Sequence, residues 1–158
     1  MIAQFNSRIL IDVVNSITNG KVFISAPRKS GKTSAIYKFY KTHINWDVAV
    51  IVPSEAIKYR YKQSDIHRVY LPENLPDHKC GVVLVDDANF IKADILDKVL
   101  AMSDHVVILS APLHGSDFNK MIKDPDNYGM QFIGRDNPYL RAEMNEDRYR
   151  EEVLGMIL

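Results

Sequence analysis

Four short apolar runs punctuate the chain, at residues 22–24 (Val-Phe-Ile), 48–52, 82–85 and 106–109. They are rich in Val and Ile and lack strict alternation with polar residues, the pattern of strands buried on both faces. Between the third and fourth runs, Ile91, Ile95, Leu96, Val99 and Leu100 recur at helical spacing and predict an amphipathic helix. Ahead of the first run, Ile9, Leu10, Val13, Val14 and Ile17 keep the same period, with Asn6 and Ser7 as N-cap candidates and Asn19-Gly20 as the stop. A fifth strand is expected at 130–133, after a turn cluster of Pro125, Asn127 and Gly129. Residues 72–79, with two prolines, read as a loop, and 141–156 as a closing helix. Strands alternating with helices imply a mainly parallel sheet in a three-layer α/β fold. No internal repeat or low-complexity segment interrupts the pattern.

The segment after the first run carries chemistry as well as architecture. Ala26-Pro27-Arg28-Lys29-Ser30-Gly31-Lys32-Thr33 reads as a phosphate-binding loop, with Ala26 in place of the usual first glycine. A tight turn of this spacing aims successive backbone N–H groups inward to cradle phosphates, and Gly31 lets the main chain approach closely. Lys32, expected in a solvent-facing loop, reaches the outer phosphates, and the Thr33 hydroxyl ligates magnesium. Residues 34–40, from Ser34 onward, can continue as a helix whose N-terminus faces the anion. The bland alternative is a lysine-rich surface turn.

The third run ends in Asp86-Asp87, the pattern of the acidic partner to such a loop. A buried strand that delivers a carboxylate to the sheet's carboxyl edge puts it where ligands of open α/β sheets bind. Asp86 is the candidate magnesium ligand, through water, because this ion dehydrates reluctantly. Asp87 could orient or deprotonate an attacking water. Against this stands the reading that both merely cap the following helix. The fourth run ends in Ser110-Ala111-Pro112, which would put Ser110 near a terminal phosphate, or else simply mark the passage from strand to loop.

Composition narrows the rest. The 158 residues suit one domain with a sizeable core. Lys+Arg and Asp+Glu balance at 20 each, so no global field advertises a nucleic acid or membrane partner. With Cys80 as the single cysteine, no intrachain disulfide or cysteine cluster can form, which fits a cytoplasmic setting. There is no apolar stretch near twenty residues and no basic-then-apolar leader. His43, His67, His78, His105 and His114 show no ligand spacing, so no metal site is expected from them. Lys58-Tyr59-Arg60-Tyr61-Lys62 interleaves bases and aromatics as a nucleic-acid surface does, and equally as a solvated helix with a half-buried tyrosine face does.

Taken in order, these segments resemble the ATPase domain of the large terminase subunit, the DNA-packaging motor of tailed phages. That family is a helicase-like (RecA-like) P-loop NTPase. Arg28 stands three residues before Gly31, as in the terminase phosphate loop, and Val-Val-Leu-Val-Asp-Asp at 82–87 resembles the family's acidic motif. Residues 48–54 resemble the second strand and adjoining loop of helicase-like ATPases. The segment 106–115, with Phe118-Asn119-Lys120 after it, resembles the coupling motif, a strand end with a small loop. Asn137-Pro138-Tyr139-Leu140 and 150–155 resemble the segments that close the domain.

The resemblance implies ATP and magnesium as cofactors and hydrolysis of ATP. It implies duplex DNA and a phage protein as partners, a homo-oligomeric ring, and the host cytoplasm as location. Lys32 and the backbone of residues 26–33 would take the phosphates, and Thr33 with Asp86 the metal. Asp87 would position water, and Arg28 would serve as a cis arginine finger, unless it merely solvates or points to a neighbouring subunit. Three departures stand out. Asp87 replaces the usual glutamate. Arg8, with Gln4 and Asn6 nearby, occupies the register of the adenine-reading glutamine. The chain ends where a nuclease domain would start, so one ATPase domain spanning 1–158, with a closing helical segment over about 138–158, is expected without a nuclease. Two other readings share the loop: a nucleotide-dependent switch with weak turnover, and a small-molecule kinase.

Overall fold

The Val- and Ile-rich runs become strands because their branched side chains suit a pleated surface covered on both sides. In the computed structural model, which describes residues 2–4, 14, 20–27, 31–133 and 145–146, seven strands form one sheet. They are β1 (Ile2–Gln4), β2 (Gly20–Ser25), β3 (Val48–Ile51), β4 (Val69–Tyr70), β5 (Val82–Val85), β6 (His105–Ser110) and β7 (Tyr128–Ile133). Their order is β1-β7-β2-β6-β5-β3-β4. Every pairing among the described residues is parallel.

Among the described residues, four α-helices of seven residues or more lie between the strands: α1 (Lys32–Thr42), α2 (Glu55–Gln63), α3 (Ala93–Leu100) and α4 (Asp117–Lys123). Strand alternation sorts the core into two layers. Val22, Ile24, Val48, Val50, Leu84, Val107 and Leu109 face α1 and α2, packing on Ala35, Ile36, Phe39 and Tyr61. Phe23, Ala49, Ile51, Val83, Val85, Val106 and Ile108 face the other way, onto Leu96 and Val99 of α3 and Phe118 and Ile122 of α4. The three-layer α/β fold is therefore as the periodicity predicts.

The register aligns one edge. Ser25 lies beside Ser110, Val85 beside Ile108, and Ile51 beside Val85. Because all these strands run the same way, the loops after β2, β5 and β6 open on the same side.

Several details differ from the sequence expectations. β4 and β1 carry no signal in the sequence; each has three residues or fewer, too short to show a period. β7 starts two residues before the expected 130, taking in Gly129. That glycine reads as a turn, but a Cβ there would lie 2.7 Å from Ile122 Cγ1, so its role is close helix–strand approach. Phe118, Asn119 and Lys120, after the loop that follows β6, lie on α4, a helix no periodicity announced. Ser116 caps it, its Oγ accepting from Asn119 N at 3.2 Å, and Phe118 and Ile122 drive its burial. The helix predicted around residues 9–17 falls mostly outside the described residues; Val14 is helical and fully buried. The closing segment at 138–158 also lies outside them, apart from Asn145 and Glu146.

Candidate functional site

At the end of β2 the chain passes through Ala26 and Pro27 to Gly31, which adopts a left-handed backbone (φ 86°) as N-cap of α1. Most non-glycine residues resist that conformation by about 1–2 kcal/mol, so the turn favours glycine. The amide of Ala35 closes the first helical bond onto the Gly31 carbonyl at 2.8 Å. Arg28, Lys29 and Ser30 lie outside the described residues, so the arginine-finger expectation has no geometry here. Lys32 is not solvent-facing as the sequence suggested. It is 7% exposed, and its ammonium donates to the carbonyls of Ala26 at 3.1 Å and Pro27 at 2.6 Å. The lysine thus folds back across the loop it belongs to. Ser34, two positions further along α1, is exposed.

Three elements converge on one carboxylate. Asp86, one residue beyond β5, is 1% exposed. Its Oδ2 accepts from the Thr33 hydroxyl of α1 at 2.7 Å and from the Tyr61 phenol of α2 at 2.6 Å. Its Oδ1 accepts from the Asp87 amide at 3.0 Å. These donors are neutral. A buried carboxylate beside a hydroxyl at the start of α1 is a set of hard oxygen donors, the chemistry that suits magnesium. The residues present therefore fit that ion.

Asp87 is half-buried and left-handed (φ 51°), at the start of a short 3-10 turn, Ala88–Phe90. Its side chain makes no capping bond to that turn, so the capping reading lacks the contact it needs. Ser110, fully buried, is aligned with Ser25 at the same edge. Its hydroxyl lies 2.9 Å from Asn89 Oδ1 and 2.7 Å from the Ala111 carbonyl. Ser110 is thus tied to the turn beyond the acidic pair.

Tyr61 and Asn89 are the site residues that sequence reasoning missed. For Tyr61 a signal existed. Ile57 and Tyr61 stand four apart and share a helix face, whereas Tyr59 sits about 200° round the helix. The structure obeys this: Tyr61 is fully buried and Tyr59 is 64% exposed, with Arg60 and Lys62 also outward. Burial pushes loss of the Tyr61 phenolic proton far above its ordinary range. The adjacent Asp86 charge and its hydrogen bond push the same way, with a smaller contribution from Tyr37 and opposition from the Thr33 hydroxyl. The geometry agrees, with the phenol donating to Asp86 Oδ2. For Asn89, inside a turn no pattern announces, there was no signal.

A second cluster sits at the other end of the sheet. Ligand atoms of Asp47, His78 and Cys80 lie within 4.8 Å of one another, a proximity their sequence positions do not reveal. Its positive charge is supplied by Arg68, which donates to Asp47, while Gly81 N donates to Asp47 Oδ2 at 3.3 Å. The Arg68 hydrogen bond holds the Asp47 carboxyl below its usual range, and burial pushes the Cys80 thiol up.

No protein-family model matches this chain, and no curated protein matches it by sequence. Solved structures do match. A mutant form of the large terminase ATPase domain of Thermus phage P74-26 superposes with a TM-score of 0.66, at 14% identity, over 94% of this chain and 93% of that one. At that identity the likeness is one of fold, and the fold is that of a phage terminase ATPase domain, the family the motifs resemble. Among the described residues no helix is long and apolar enough to cross a membrane.

Proposed function

We propose that this chain binds ATP with magnesium and hydrolyses it, as the motor domain of a terminase-like machine that packages or translocates duplex DNA. The observation that carries the reading is the 2.7 Å bond between Thr33 and Asp86. It joins the residue after a G-K turn to the carboxylate that ends a buried strand, across 53 positions of sequence. The shared fold supports it independently.

In this reading the loop amides from Ala26 to Thr33 and the Lys32 ammonium bind the phosphates. Lys32 exchanges its present carbonyl partners for phosphate oxygens. Thr33 and Asp86 hold magnesium, which when bound neutralises charge on the phosphates. Asp87 orients the attacking water, and Ser110 with Asn89 links the β6 edge to the Asp87 turn. Phosphoryl transfer needs positioning and charge neutralisation more than covalent help, so these groups suffice. Arg28, by the resemblance, adds a second positive charge. A homo-oligomeric ring on duplex DNA, with a phage protein partner in the host cytoplasm, completes the proposal.

A nucleotide-dependent switch is the second reading, favoured by the shorter Asp87 carboxylate where the terminase pattern has glutamate. The test is magnesium-dependent phosphate release, with and without duplex DNA, by the parent chain and by Lys32→Ala. A motor gives DNA-stimulated release, and Lys32→Ala lowers it at least about a hundredfold, the scale of losing one charge-stabilising donor. Slow release indifferent to DNA supports the switch. Unchanged turnover in Lys32→Ala sinks the phosphate-loop assignment altogether.

A further inference from the structure

We propose that Tyr61 is a positioning residue for the metal-binding carboxylate: its hydroxyl, carried in by α2, fixes the orientation of Asp86. This rests on the reading of Asp86 as a magnesium ligand. The terminal torsion of an aspartate is broad and roughly two-fold, so a buried carboxylate keeps a defined oxygen forward only if its surroundings hold it. Asp86 is held at both ends. Oδ1 is fixed by the amide of the next residue, at 3.0 Å. Oδ2 is fixed by Tyr61 at 2.6 Å, and Thr33 shares that same oxygen at 2.7 Å.

The two contacts on Oδ2 are not equivalent. The Thr33 hydroxyl is the group expected to turn towards the ion, and its bond to Asp86 is then given up or reshaped. The Tyr61 contact comes from the core side, where the phenol is fully buried. A phenylalanine would fill that volume just as well. A buried hydroxyl is tolerated because it is paired, and here the partner is the carboxylate itself.

The ring cannot easily drift. Tyr37 of α1 packs edge-on against it, with centroids 4.8 Å apart and planes at 78°. The Tyr61 carbonyl also accepts from the amides of Ser64 and Ile66, at 3.0 and 3.1 Å, which pins the end of α2. Tyr61 therefore ties α1, α2 and the end of β5 into one unit around Asp86. Its hydroxyl bonds the carboxylate, so it acts through Asp86. Partners of this kind that orient a metal ligand typically account for about 10–100-fold in metal affinity.

The test reads metal binding directly. Mn²⁺ is titrated into the full chain loaded with a non-hydrolysable ATP analogue and monitored by electron paramagnetic resonance, for the parent, Tyr61→Phe and Asp86→Asn. Tyr61→Phe is expected to weaken Mn²⁺ about 10–100-fold. Binding of the analogue in EDTA should stay unchanged, which a merely structural role would not separate. If Asp86→Asn loses Mn²⁺ but a folded Tyr61→Phe keeps parental affinity, this inference falls and the metal reading stands. If Asp86→Asn also keeps it, both fall. Should Tyr61→Phe not fold, the parent chain still decides. A slowly exchanging low-field phenolic proton assigned to Tyr61 by NMR is expected, and one that exchanges freely with water overturns the proposal.

Discussion

Asp87 differs from the terminase pattern by one methylene, and that is where residue-scale chemistry is most open to test. Its backbone is left-handed, and its amide is committed to Asp86, so the turn geometry is fixed before the side chain acts. A water-positioning group contributes about 10²–10⁴-fold, so a misplaced carboxylate is visible in the rate. If the chain is a working motor, Asp87→Glu leaves single-turnover hydrolysis similar or faster, and Asp87→Asn binds ATP but hydrolyses at least about a hundredfold more slowly. If it is a switch, Asp87→Glu speeds hydrolysis sharply. A parent that is fast and DNA-responsive, with Asp87→Glu slower, would show a site built around aspartate. The sequence makes the identity at this position plain. It could not reveal that the neighbouring Asp86 already has three donors, because two of them arrive from helices far along the chain.

Among the elements, the strands were legible and the short or locally overridden pieces were not. Runs of Val and Ile announce β2, β3, β5 and β6 because burial on both faces demands apolar residues at every position. β4 has two residues and pairs with β3, while the Asp47–Arg68 ion pair joins the residues just before the two strands. That pair permits a pH prediction. Arg68's hydrogen bond lowers the folded pKa of Asp47 below its unfolded value. Its contribution is therefore fully present above about pH 4 and fades as pH falls through the depressed value. The Asp47 side chain is 46% exposed, so solvent screening keeps the effect to no more than about 1 kcal/mol. Asp47→Asn, which tolerates the left-handed backbone (φ 55°), is expected to lower stability by that amount at pH 7 in urea unfolding. The difference should vanish in acid. A deficit that persists at low pH would assign the effect to the Gly81 contact instead of the ion pair.

For the molecule as a whole, the sheet is stable only if both faces are covered, and the two covers contribute unequally to the candidate site. α1 and α2 supply Thr33 and Tyr61 directly to Asp86. α3 and α4 supply packing, centred on Phe118, which is fully buried with its ring centroid 6.1 Å from that of Phe23. Phe118→Ala is therefore expected to destabilise the fold by about 3–5 kcal/mol. Nucleotide affinity measured well below the unfolding transition should be unaffected. A loss under about 1 kcal/mol in denaturant unfolding would mean that this face repacks freely. A large fall in affinity without unfolding would mean that α4 reaches the site.

Local order along the chain determined what depends on near neighbours: the Gly31-Lys32-Thr33 turn before α1, the apolar strands, the acidic pair after β5 and the α/β alternation. Each is written in residues a few positions apart, so a period or a motif exposes it. Tertiary structure decided what depends on which elements meet. It set β6 between β2 and β5 and brought Asp86 within hydrogen-bond reach of both Thr33 and Tyr61. It also turned Ser110 to Asn89, folded Lys32 back onto its own loop, and made Gly129 a packing contact. Spacing marks Tyr61 as an inward residue of a basic helix, but nothing in it says whether the phenol meets an apolar wall or a carboxylate. The helix's rotation against the sheet, fixed by burying Ile57 and Tyr61 on one side, makes the choice.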